Sequence, residues 1–232
     1  MILMRTLAAA ALLIVAVTGC TTTDIRGIRI DHVILGAPSV EQGMAEFERL
    51  TGVKPVYGGQ HPGRGTENAL VSLGTSYLEI VAPRAGMTPQ GDLAGLAQLK
   101  KLTPIAWAVH IEDLDKAQRE LRRVGYPPTP PMPGSRITPA GDTLSWTTFG
   151  FEKPPVEMAP FFIRWGDGVR HPSSSSPLGC GLQNMWLGDP DEAALHRLVM
   201  QLRLPIRTLR TEKPAMRLQI VCREGAVVFN SE

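Results

Sequence analysis

Residues 28–38 read IRIDHVILGAP and residues 39–52 read SVEQGMAEFERLTG, and the fold turns on how the first stretch passes into the second. The first alternates and predicts a strand, with Val33 and Leu35 on one side and His32 and Ile34 on the other. The second has helical spacing, Val40, Met44 and Phe47 sharing a face. Ser39 can cap it with Gln42 as the capping-box partner, and Gly52 ends it. Downstream, KPVYGG, ENALVSLG and SYLEIVAP read as three strands, the first two joined by the glycine-rich loop GGQHPGRGT at 58–66. A P-loop would open a helix after its glycines. TENALVSLG lacks helical periodicity, so this loop is a strand connection and not a phosphate cradle. Residues 28–83 therefore form a βαβββ unit.

The grammar repeats twice. In residues 104–166, TPIAWAVHIED predicts a strand and DLDKAQRELRRVG a helix, with Leu114, Ala117, Leu121 and Val124 on one face and Gly125 as its stop. The proline-rich PPTPPMPGSRITP follows, then strands in DTLSWTTFG and PFFIRWGD. In residues 179–230, CGLQNMWLGD precedes a helix opened by Asp189-Pro190, and PIRTL, AMRLQIVC and AVVFN finish as strands. Arg64-Gly65-Thr66 and Arg136-Ile137-Thr138 stand at matching places in the first two units, a weak internal repeat. A short helix is expected in GDLAGLAQLKKL. The chain reads as α+β, one compact domain of tandem βαβββ modules.

Composition narrows the function. The 232 residues are 43% hydrophobic and 20% charged, with a net charge of +2. That balance lacks the basic excess of a nucleic-acid-binding protein. The first twenty residues, MILMRTLAAAALLIVAVTGC, stand apart: one charge at Arg5, then an apolar run from Leu7 to Val17. The run is shorter than the roughly 20 residues that span a bilayer, and its shape is that of a signal peptide. Val17-Thr18-Gly19-Cys20 resembles a bacterial lipobox, which makes Cys20 the lipidated N-terminus of an exported chain anchored on the periplasmic face of the cell envelope. Cys180 and Cys222 are open to two readings, a disulfide or buried free thiols.

Tandem βαβββ units, with DHVILGAPSVEQG opening the first and YLEI closing it, resemble the vicinal oxygen chelate superfamily. The GGxHPGxGTxN pattern, ending here at Asn68, and HPS at 171–173 resemble its glyoxalase-like branch. The resemblance implies curved mixed sheets that form a cleft, with helices on the outer faces. It also implies metal ligands on the first and last strands of each unit. His32 and Glu79 fall there, a pair suited to one divalent ion (Fe, Mn, Ni or Zn) acting as Lewis acid. Unit two departs from the pattern. Ala106 stands where His32 does, His110 lies about 13 Å further along the strand, and PFFIRW offers Arg164 in place of a carboxylate. The metal is thus either held by half of the usual set or absent.

Other candidates complete the site. His61 and His171 are the proton movers, histidine being the side chain that titrates nearest neutrality. Arg64 and Arg136 can clamp a carboxylate or phosphate. Asn68, Tyr77 and Trp107 are the remaining ligand contacts. The absence of GxSxG excludes an α/β-hydrolase elbow, and the absence of GxGxxG in a βαβ context excludes a nicotinamide enzyme. What remains is an exported glyoxalase-like protein acting on, or holding, a small oxygen-rich molecule. The alternative is a non-enzymatic binding protein that has lost the metal. The expected partners are the small molecule, the membrane through the lipid anchor, and a second copy in a homodimer.

Overall fold

The structure, a computed structural model, describes residues 24–231 except 26 and 90. The signal segment 1–20 and the lipidation site Cys20 lie outside the described residues. Among the described residues, twelve strands and three α-helices run in the order β1 (Arg29–Gly36), α1 (Val40–Thr51), β2 (Val56–His61), β3 (Thr66–Ser72), β4 (Tyr77–Pro83), β5 (Thr103–His110), α2 (Leu114–Arg123), β6 (Met132–Ile137), β7 (Thr143–Phe149), β8 (Phe161–Trp165), β9 (Cys180–Asp189), α3 (Glu192–Leu202), β10 (Arg207–Arg210), β11 (Ala215–Cys222) and β12 (Gly225–Asn230). The fold is α+β. No helix among the described residues is long and apolar enough to cross a membrane.

The first eight strands close a barrel in the order β1-β4-β3-β2-β6-β7-β8-β5. Each half is one βαβββ unit. One seam is long: β1 and β5 pair antiparallel from Arg29↔His110 to Gly36↔Thr103. The other is a single pair, Gln60↔Ile137. Closure there depends on Gly59, whose φ is 131° and where any side chain would run into the Ile137 carbonyl. Alternation then sorts the side chains of β1. Val33 and Leu35 are fully buried in the core with Phe47 of α1, while His32 and Ile34 line the barrel interior.

The helix ends follow their local chemistry. Ser39 Oγ accepts from Gln42 N at 3.2 Å, and Gly52 closes α1 in the left-handed conformation with φ 68°. Asp113 caps α2 in the same way as Ser39, accepting from Lys116 N at 2.9 Å. For α3 the cap is Asp191, not Asp189. Asp189 instead accepts from Asp191 N at 2.8 Å and shapes the turn before the helix. GDLAGLAQLKKL carries only two short 3₁₀ turns, Gly91–Leu93 and Leu96–Gln98. The proline-rich stretch conceals β6, whose one proline, Pro133, is tolerated because the strand's pairing to β2 is a single residue pair.

The third unit forms its own sheet, β10-β9-β11-β12. Phe47 of α1 stacks on Phe229 of β12 at 5.9 Å, which docks this sheet onto the first unit. Cys180 and Cys222, paired across β9 and β11, form a disulfide.

Candidate functional site

The barrel holds an open cavity of about 380 Å³. Its two walls differ. Unit one contributes His32, His61, Thr66, Asn68 and Glu79, whereas unit two contributes chiefly Ala106, Trp146, Phe149, Phe161 and Ile163. Arg136, from β6, is the charged group that unit two supplies from within the cavity.

Glu79 is the hub of the polar wall. Asn68 Nδ2 donates to its Oε1 at 2.6 Å, with His61 Nε2 at 3.4 Å from the same oxygen. His32 Nε2 stands 3.5 Å from Oε2. Burial alone would raise this carboxyl. The hydrogen bond and charge of His61, the charge of His32 and the Asn68 amide outweigh burial and lower its pKa to about 2. Glu79 is therefore ionised at neutral pH. His61 Nδ1 lies 3.0 Å from Thr66 Oγ1. On the far side of Asn68, Arg136 Nη1 donates to its Oδ1 at 3.1 Å.

Gly58 makes that contact possible. It is the extra residue in β2, between the pairs Tyr57↔Ala69 and Gly59↔Asn68. A side chain there would run into Arg136 Nη1 and Asn68 Oδ1.

A second carboxylate anchors the end of the barrel. Asp31 is wholly buried. Its Oδ1 meets His32 Nδ1 at 2.7 Å. Its Oδ2 meets His110 Nδ1 at 3.0 Å, accepts from Trp165 Nε1 at 3.1 Å and meets His171 Nε2 at 3.2 Å. Burial would raise the Asp31 carboxyl, but the hydrogen bonds of His110, His171 and His32 and the charge of His32 hold it far below the ordinary carboxylate range. Tyr77 stacks on His32 at 4.6 Å and meets His171 edge-on at 5.6 Å, bridging the two clusters. Its phenol is raised well above its ordinary value by burial, then by the charges of Glu79 and Asp31, so it stays protonated.

The expected site residues fall into three places. His32, His61, Arg64, Asn68, Tyr77, Glu79 and Arg136 all line the cavity. His171 joins the Asp31 cluster. Trp107 is in the core, its Nε1 donating to Met158 O at 2.8 Å, and does not line the cavity. The sequence reading did not find Asp31, and it gave His110 no role in the site. Asp31 is the extra residue between the pairs Ile30↔Val109 and His32↔Ala108. A bulge re-aims its side chain, which strict alternation cannot anticipate.

Register also revises unit two. With the caps Ser39 and Asp113 equivalent, Ala108 corresponds to Ile34. Ile34 pairs with Glu79 and Ala108 pairs with Phe161. Phe161, not Arg164, thus stands in Glu79's place. Arg164 instead pairs outward with Asp167 at 2.7 Å.

Comparison with known proteins agrees with this architecture. The glyoxalase-like domain matches residues 30–202. The chain belongs to this family. A hypothetical protein from Staphylococcus aureus is similar in structure at 14% identity and a TM-score of 0.62, covering 88% of this chain and 85% of its own. Methylmalonyl-CoA epimerase from Mycobacterium tuberculosis is similar at 16% identity and a TM-score of 0.43, covering 59% of this chain and 86% of its own. None of the curated proteins compared with the chain matches it.

The metal that the superfamily implies can be tested against the donors of this glyoxalase-like barrel. Of the four ligand positions, His32 and Glu79 carry donors, while Ala106 and Phe161 carry none. The cavity does not fit a four-ligand centre, and no step below passes through an ion there. The group that could hold a metal among the described residues is Asp31, His110 and His171, whose ligand atoms lie within 4.8 Å of one another. Oxygen-to-nitrogen separations of 3.0 and 3.2 Å are near the roughly 3 Å expected between neighbouring ligands about 2.1 Å from one ion.

Proposed function

We propose that this glyoxalase-like protein is exported, anchored by a lipid at Cys20, and moves a proton on a small oxygen-rich molecule held in the barrel. One observation carries the catalytic reading. An ionised carboxylate, Glu79, stands against the imidazole of His61 at the polar wall of a cavity of about 380 Å³. The tautomer in which His61 Nδ1–H donates to Thr66 Oγ1 leaves Nε2 as the base. Nε2 takes a proton from a carbon next to a carbonyl, leaving an enolate, and returns it to the same carbon; where that carbon bears a hydroxyl the enolate is an enediolate and the proton can return to the adjacent carbon. Ionised Glu79, 3.4 Å from that same nitrogen, stabilises by its charge the imidazolium formed in between. Glu79 itself, with a pKa of about 2, is too weak a base for that task. Where a divalent ion (Fe, Mn, Ni or Zn) binds, Asp31, His110 and His171 would hold it, and it would supply a Lewis acid at the barrel's end.

The disulfide between Cys180 and Cys222 supports export, since such bonds persist in oxidising compartments. Metabolic labelling with palmitate tests the anchor, with incorporation expected in wild type and lost in Cys20→Ala. Labelling that persists in the variant would remove the anchor from this reading.

The catalytic step is tested by proton NMR in D₂O, following loss of the α-proton from small 2-oxoaldehydes and 2-hydroxyketones. Wild type should speed the exchange, and His61→Gln should lower it by roughly 100-fold or more. Exchange unchanged in His61→Gln would overturn the role of His61. Ala106 and Phe161, which remove half of the family's ligand positions, favour a second reading, a binding protein without chemistry. Saturable ligand binding with no exchange in wild type would establish that reading.

A further inference from the structure

Among the described residues, Arg136 is a buried cation without a counter-ion. Its residue is 4% exposed, and it lines the cavity. Among those residues one of its N–H donors is used, by Asn68 Oδ1 at 3.1 Å. Asn68 turns its other face to Glu79, donating at 2.6 Å. The amide thus stands between the cation and the nearest carboxylate. Among the described residues Arg136 makes no ion pair. A guanidinium taken out of water and left unpaired is costly, so such an arrangement is kept where a partner of opposite charge arrives from elsewhere.

Two further features point the same way. The backbone has given up a side chain at Gly58, in a bulge, to seat this guanidinium against Asn68. Arg64, an exposed residue flanked by two glycines with φ of 77° and 67°, also lines the cavity and makes no side-chain hydrogen bond or ion pair among the described residues. Four aromatic side chains, Trp146, Phe149, Phe161 and Trp165, also line the cavity.

Building on the small-molecule reading of this cavity, we propose that its ligand is a carboxylate. Arg136 holds the carboxylate head, Arg64 closes over it from the loop, and the apolar body lies against Trp146, Phe149 and Phe161. A planar carboxylate matches the fork of one guanidinium. A phosphate would bring a second negative charge to a place one amide away from ionised Glu79. A head fixed beside Asn68 also sets the adjoining carbon next to His61, whose Nε2 is 3.4 Å from Asn68 Nδ2.

Isothermal titration of the full-length chain with 3-phenylpropanoate and its uncharged match, 3-phenylpropanamide, tests this. The acid should bind at least ten-fold more tightly than the amide in wild type. Arg136→Gln should abolish that preference, Gly58→Ala should weaken it by displacing the guanidinium, and Arg64→Gln should reduce it a few-fold. Should Arg136→Gln fail to fold by circular dichroism, the wild-type pair and the exposed Arg64→Gln still decide. Equal affinity for acid and amide would overturn the carboxylate while leaving a small-molecule site. Inorganic phosphate displacing the amide more strongly than acetate does would also overturn it. Binding of neither probe would overturn the carboxylate and the small-molecule reading together.

Discussion

The two halves of the barrel share one backbone plan and carry opposite chemistry. Unit one places a carboxylate, two imidazoles and an amide on its inner face, each tied to the next. Unit two places Ala106, Trp146 and Phe161 at the facing positions and adds one guanidinium. A closed barrel fixes only which side chains point inward; it does not fix what they are. The family's symmetric ligand set has here become an asymmetric pair of surfaces. One handles protons and the other grips an apolar body. His32 sits at their junction, stacked on Tyr77 and edge-on to Phe161 at 5.6 Å.

The contrast breaks most completely at Asp31. Its carboxylate collects His32, His110, Trp165 and His171, and so ties β1, β5, β8 and the loop at 171 into one end of the barrel. Asp31→Ala leaves those buried nitrogens without their acceptor. A loss of about 3–5 kcal/mol is expected in denaturant unfolding, the size seen when one partner of a buried charged network is removed. A loss below about 1 kcal/mol would mean the cluster does not hold the polar half in place.

That residue also marks how far the sequence could be read. The βαβββ orders of units one and three, the cap at Ser39 and the set His32, His61, Asn68, Glu79 were legible, because period, caps and glycines are local signals. Asp31 was not, because a bulge breaks the alternation that would aim it outward. β6 was hidden by the proline-rich stretch it sits in, and Phe161 by a register that only pairing to β5 reveals. Gly58 was visible as a glycine, but its reason is the Arg136–Asn68 contact across the barrel seam.

A smaller effect is expected at Glu79, with a signature in pH. Its folded pKa, about 2 against an ordinary 4.5, is depressed. Its contribution is therefore complete above the unfolded value and is lost as pH falls from about 4.5 toward 2. Glu79→Gln should cost about 1–3 kcal/mol at neutral pH, since the donors around it partly reach cavity water. Stability curves of wild type and variant should then converge over that acid window. A constant gap between them from pH 7 to 2.5 would contradict an ionised Glu79. Asp31, whose carboxyl is depressed further still, adds to the acid sensitivity that remains in the variant.

The smallest effect separates two readings of unit two. If Arg164 stood in Glu79's place, it would face the cavity and its removal would be costly. The register instead turns it outward, to Asp167, whose side chain is 93% exposed. Exposed pairs of this kind contribute little, so Arg164→Ala should change stability by less than about 0.5 kcal/mol and leave binding of the carboxylate probe untouched. Phe161→Glu gives the opposite control. It sets a carboxylate into the apolar wall, where His32 already has Asp31 and Glu79 as its partners, and should cost about 1–3 kcal/mol. A large penalty at Arg164 with a small one at Phe161 would reverse the register assigned to β8. It would also restore a charged group to the facing wall and so end the asymmetry between the halves.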